Sequence, residues 1–182
     1  GAALYVNKAT SVLEVTGVAF EGNKSTETSE GYGGGAFQAR LNTTPVKFIG
    51  CKFTGNESAC GGGAIALREN GRVYLEKTIF ENNVSVTNGG AIYATSGHFT
   101  AKDCKFTGNS AASSGAVNVT MASTATVEGC TFTGNTSNDV TCIGILGTTK
   151  ITIKDSTFTG NPSKGAWYGA VNLSNGDAVA KL

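Results

Sequence analysis

The sequence predicts an all-β fold, a right-handed parallel β-helix of about seven rungs of about 26 residues each. Three observations predict it. Phe-x-x-Asn occurs six times, at Phe20/Asn23, Phe53/Asn56, Phe80/Asn83, Phe106/Asn109, Phe132/Asn135 and Phe158/Asn161, and the last five phenylalanines are 27, 26, 26 and 26 residues apart. A Gly-Ala signature alternates in phase with these phenylalanines, at Gly34-Gly35-Ala36, Gly62-Gly63-Ala64, Gly89-Gly90-Ala91 and Gly115-Ala116, and once more after Phe158 at Gly169-Ala170. Apolar residues fall in fixed columns between the two. A period in the twenties marks a solenoid, in which each repeat buries its apolar face against the next. A rung of this length exceeds the roughly 18 residues of left-handed hexapeptide helices, which favours the right-handed form.

Each rung opens on a strand after Gly-Ala. Alternation there places Leu4/Val6, Phe37/Ala39, Ile65/Leu67, Ile92/Ala94, Val117/Val119 and Val171/Leu173 on one face, and Tyr5, Gln38, Ala66, Tyr93, Asn118 and Asn172 on the other. A second strand carries apolar columns seven and five residues before Phe, for example Val73 and Leu75 before Phe80. The parity then changes, so the chain bends at Gly17, Gly50, Lys77, Asp103, Gly129 and Asp155. A short strand carrying Phe follows, and Gly-Asn turns the chain again. Four residues before Phe, consecutive rungs read Glu76, Lys102, Glu128 and Lys154, an alternation of charge that suits in-register stacking. Phe20, Phe53, Phe80, Phe106, Phe132 and Phe158 are expected to stack as a ladder. Asn23, Asn56, Asn83, Asn109, Asn135 and Asn161 are expected to bond amide to amide beside them.

Composition narrows the function. Only 15% of the 182 residues are charged, the net charge is +1, and lysines and arginines are spread along the sequence, so no nucleic-acid partner is expected. No apolar stretch approaches the roughly 20 residues that span a bilayer, and no membrane insertion is expected. The chain lacks an initiator Met, and neither end shows a capping helix. Residues 1–182 are therefore expected to form a single β-helix domain, a segment of a longer chain or a unit that stacks end to end on neighbouring segments or on copies of itself.

The alternating Gly-Gly-Ala-Ile (62–65 and 89–92) and Phe-x-x-Asn motifs resemble the repeats of the polymorphic outer-membrane protein family of chlamydial-type autotransporter adhesins. The resemblance covers nearly all of the chain. It implies an exported β-helix passenger that mediates adhesion, anchored in that family by a separate C-terminal barrel. A glycan or a host-surface protein is the expected partner, and an extracellular or cell-surface setting is expected.

No catalytic constellation emerges. Polysaccharide-cleaving β-helices need clustered carboxylates with a nearby base, and the four aspartates, Asp103, Asp139, Asp155 and Asp177, are dispersed. The single histidine, His98, follows Gly97 in an expected turn with no visible metal partners. The chain is read as a non-enzyme without cofactor or metal. A glycan- or protein-binding module using Tyr5, Tyr93, Trp167 and Tyr168 is the first alternative, and a polysaccharide lyase or hydrolase the second.

Five cysteines allow two bridges, for which Cys51/Cys60 and Cys130/Cys142 are the candidates, with Cys104/Cys130 in one inward column as the rival. A fully reduced core is the remaining possibility. Seven N-glycosylation sequons begin at Asn23, Asn42, Asn56, Asn83, Asn118, Asn135 and Asn172, where about three arise by chance. Inward amides cannot carry sugar, which leaves Asn42, Asn118 and Asn172 as the expected acceptors.

Overall fold

A computed structural model describes residues 2–29, 32–139, 142–164, 169–174 and 179–181. The chain winds as a parallel β-solenoid, and its described residues contain no helix. Sheet A takes the strands after Gly-Ala, from Leu4–Asn7 to Val171–Ser174, and sheet B those that follow, from Glu14–Thr16 to Val179–Lys181; each is seven-stranded. Sheet C, six-stranded, holds the Phe strands from Ala19–Glu21 to Thr157–Thr159. Every pairing is parallel and joins like positions of consecutive coils: Phe80 pairs with Phe53 and with Phe106, and Glu76 with Lys102.

A fourth sheet, D, adds two-residue strands just past each Asn turn: Lys24–Ser25, Glu57–Ser58, Val84–Ser85, Ser110–Ala111 and Thr136–Ser137. The sequence marks it only by a small inward residue five positions after Phe, which is Ser25, Ser58, Ser85, Ala111 or Ser137. Two residues are too short for alternation to show.

The two corners that flank the Phe strand share one device. Gly17, Gly50, Lys77, Asp103, Gly129 and Asp155 before it all have φ between 48° and 66°, and Gly22, Gly55, Asn82, Gly108, Gly134 and Gly160 after it all lie between 54° and 64°. A single left-handed residue swings the strand by one corner and flips its parity, which is the bend the column change requires. Gly-Gly-Ala has a different cause. A Cβ on Gly63 would overlap the Gly90 carbonyl oxygen of the next coil and crowd the Val84 backbone. The coils touch there backbone to backbone, so only glycine fits.

The interior is a set of vertical rows. Successive Phe rings from Phe20 to Phe158 stack at 4.7–5.0 Å with planes within 7° of parallel. Phe48 of sheet B meets Phe37 and Phe53 edge-on at 4.9 and 5.3 Å, which closes sheets A, B and C on one core. Burial of a Phe side chain is worth roughly 1.5–3 kcal/mol, so the row is a large fraction of the core.

The Asn row is the polar counterpart. Asn83 accepts at Oδ1 from both the backbone N–H and the Nδ2 of Asn56 (3.0 and 2.9 Å), and donates from Nδ2 to Asn109 Oδ1 (2.9 Å) and to the Phe53 carbonyl (2.9 Å). Asn109 and Asn135 repeat the pattern, and Asn161 accepts from Asn135 at the end of the row. Each fully buried amide spends its donors and acceptor along the axis, which satisfies the requirement on interior polar groups.

The five cysteines are buried free thiols, which corrects the pairing of Cys51 with Cys60 and of Cys130 with Cys142. Cys51 and Cys130 stand before the Phe strand, whereas Cys60 and Cys142 lie past sheet D. The Phe strand and the Asn turn separate each pair within its coil. Their polar atoms find other partners, Cys51 Sγ donating to the Val15 carbonyl (3.2 Å) and Cys130 Sγ to the Glu128 carbonyl (3.3 Å).

Candidate functional site

Two of the expected surface residues are interior. Tyr93 is 1% exposed, because the backbone of Gly61 lies against its ring: a Cβ there would overlap Cδ1. Asn118 is 2% exposed and donates to Ser114 Oγ (2.8 Å), so it is no glycan acceptor. Both lie on the outer face of sheet A, as their parity requires, but the glycine-rich segment ahead of each strand folds over that face. Asn42 is also buried, for a reason of its own given below. Asn172 is half-buried and accepts from Ser174 Oγ, and it alone of the three expected acceptors retains a partly open side chain. Tyr5 is 51% exposed. Trp167 and Tyr168 lie outside the described residues.

The surface feature missed by sequence reading is at the corner between sheets A and B. The chain has three arginines, Arg40, Arg68 and Arg72, and all three meet there on the second and third coils. Arg40 and Arg68 are direct neighbours across sheet A. Glu69, at the bend (φ 47°), holds both, accepting from Arg40 Nε at 2.6 Å and from Arg68 Nη1 at 3.0 Å. Arg68 is 6% exposed and its guanidinium lies 3.3 Å from the Tyr32 ring centroid, a cation–π contact that covers it. The Glu69 hydrogen bond, helped by the Tyr5 hydroxyl, holds the Arg40 pKa above its ordinary value.

Arg72 opens its sheet B strand on the other side of this corner. Its backbone is clamped by Asn42 of the preceding coil, whose Oδ1 accepts the Arg72 N–H (2.8 Å) and whose Nδ2 donates to the Arg72 carbonyl (2.9 Å). That clamp buries the Asn42 amide and corrects its expected role as a glycan acceptor. Across sheet B, Arg72 pairs with His98, which opens the strand His98–Lys102 and does not sit in a turn. The His98 ring bonds Thr124 Oγ1 (2.7 Å) at Nδ1 and Asn70 Oδ1 (3.2 Å) at Nε2. Asn70 Oδ1 only accepts, so Nε2 carries the hydrogen and Nδ1 accepts from the threonine. Burial first, and the Arg72 charge second, push the His98 pKa below 6.5, so the ring is neutral at pH 7.

Two shallow depressions share Arg72. One, about 300 Å³, is lined by Leu41, Asn42, Thr43 and Asn70; the other, about 160 Å³, by Pro45, His98, Thr100, Thr124 and Thr126 among others. The signal for this corner exists in the sequence. Arg40 and Arg68 each stand four residues after the alanine of Gly-Gly-Ala, and Arg72 and His98 each eight before Phe.

The corner offers charge and hydrogen bonding for recognition. Among the described residues no three His, Cys, Asp or Glu side chains gather in a metal-binding group. Burial pushes the Cys142 thiol up to about 12, and the hydrogen bond between Cys104 and Cys130 raises the first and lowers the second.

The family model for the right-handed β-helix region matches residues 36–176, and the chain belongs to that family. Searches of curated proteins and of solved structures gave no match.

Proposed function

We propose that the chain is a non-catalytic structural and adhesive β-helix of an extracellular or cell-surface protein. It acts as a stalk, adhesin passenger or fibre building block of the kind its polymorphic outer-membrane protein-like repeats imply. The observation that carries the reading is the pair of continuous axial rows. Stacked rings and interlocked amides make each coil depend on the next, which yields a stiff shape for presenting surface groups. The test has two arms. Purified protein incubated with acidic polysaccharides, with and without calcium, is expected to release no fragments, and beads coated with it are expected to adhere to host cells. Turnover of any polysaccharide contradicts the reading, as does a coated bead that adheres no better than an uncoated one.

A second reading, a module that binds a glycan or a host-surface protein, is favoured by the A–B corner. Tyr5, exposed beside Arg40, belongs to it; Tyr93 does not.

A further inference from the structure

We propose that the corner between sheets A and B on the second and third coils binds an acidic saccharide, with Arg72 meeting the carboxylate or sulfate and the surrounding hydroxyls meeting the sugar ring. The inference rests on the reading of the chain as a non-catalytic recognition rod and gives that rod a site.

The charge balance at this corner is the first argument. Like charges directly opposed on neighbouring strands are destabilising, yet Arg40 and Arg68 are register partners. Glu69 compensates one of these two charges. Arg72 adds a third guanidinium, and among the described residues no carboxylate comes within 4 Å of it. Elsewhere Lys24, Lys47, Lys52 and Lys154 each close an ion pair with a glutamate. The corner thus brings three guanidiniums to one carboxylate, Glu69.

Geometry identifies Arg72 as the contact. A guanidinium forks onto a carboxylate or sulfate with two parallel hydrogen bonds. The Asn42 clamp fixes the backbone that carries this side chain. The two depressions flank it, and their polar lining is amide and hydroxyl: Thr43, Asn70, Thr100, Thr124 and Thr126. Neutral His98 adds no further charge, and its ring holds Thr124 and Asn70 in place beside Arg72. Tyr74 lies two residues along the same face of the strand, half-buried, its hydroxyl donating to Glu76 Oε2 (3.1 Å). A nucleic acid needs a long basic stripe, and this excess is confined to two coils.

The test uses the whole chain and three tetrasaccharides: a heparin-derived sulfated one, tetragalacturonate and neutral cellotetraose. His98 is the only histidine, so its imidazole resonances report on the site alone. At least one acidic sugar is expected to shift those resonances, to bind more weakly as salt rises, and to lose about tenfold or more in affinity on Arg72→Gln. Arg72→Lys, which keeps the charge and loses the fork, is expected to fall between. Comparing the sulfated and uronate arms tells which oxyanion the corner prefers. The proposal is overturned if neither acidic sugar moves His98, if cellotetraose binds equally, or if Arg72→Gln, shown folded by circular dichroism, binds as the parent does. A rod that adheres to cells but fails here loses this site and keeps its adhesive role; a rod that cleaves polysaccharide loses the adhesive reading itself.

Discussion

The Phe-x-x-Asn corner and the A–B corner are both turned by a left-handed residue at a fixed offset, but only the first keeps its length and residue types from coil to coil. Every described coil from the first to the sixth carries Phe, a left-handed residue and Asn at the first corner. Between sheets A and B the connections from Arg40 to Lys150 have five, three, two, three and three residues, and their left-handed positions are Leu41, Glu69, Asn70, Ser96, Met121, Ala122 and Gly147. A repeated column is constrained by the copies above and below it. The A–B connections vary in length and residue type, and the three arginines stand at the strand ends that flank two of them.

The largest break in this comparison is expected on the repeated side. Gly63→Ala places a methyl group against the Gly90 carbonyl and the Val84 backbone, and neither can withdraw without separating two coils. We expect a loss on the order of 5 kcal/mol, or no folded protein, in urea denaturation. Asn109→Ala is next. It strips acceptors from the Asn83 N–H and Nδ2 and a donor from Asn135 Oδ1, all buried, and is expected to cost about 3 kcal/mol or more by the same measurement. Arg72→Gln, on the irregular side, is expected to leave the unfolding midpoint nearly unchanged.

Smaller effects sharpen the contrast. Lys77 occupies a column where three of six coils use glycine, at φ 48°. Lys77→Gly is expected to stabilise the protein by about 1 kcal/mol, because it relieves the left-handed strain of a residue with a Cβ. The smallest effect is the pH dependence of His98. Its folded pKa lies below 6.5, so the unfolded chain takes up its proton first. Its contribution is present above pH 6.5 and is lost as pH falls from there through the depressed folded value. Arg72→Gln is expected to bring the His98 pKa, followed by NMR titration, closer to 6.5.

The repeated features were legible in the sequence and the irregular ones were not, for physical reasons. The Phe and Asn columns and the bends recur at fixed offsets, so stacking alone explains them. Parity assigned Tyr93 and Asn118 to the outer face correctly, but periodicity carries no information about what covers that face, and the Gly61 and Ser114 segments do. Cys51 and Cys60 are close along the chain but are separated by the Phe strand and a left-handed corner. The arginines are 28 and 4 residues apart, and their convergence appears only when the coils are aligned on the Gly-Gly-Ala alanine and on Phe.

The central claim is that the asparagine amides of successive coils bond to one another along the axis. The most direct measurement is NMR hydrogen exchange at the side-chain Nδ2 groups of Asn56, Asn83, Asn109 and Asn135. The account predicts protection comparable to that of the backbone amides of the neighbouring Phe strands, whereas exchange at the rate of a solvated asparagine would contradict it.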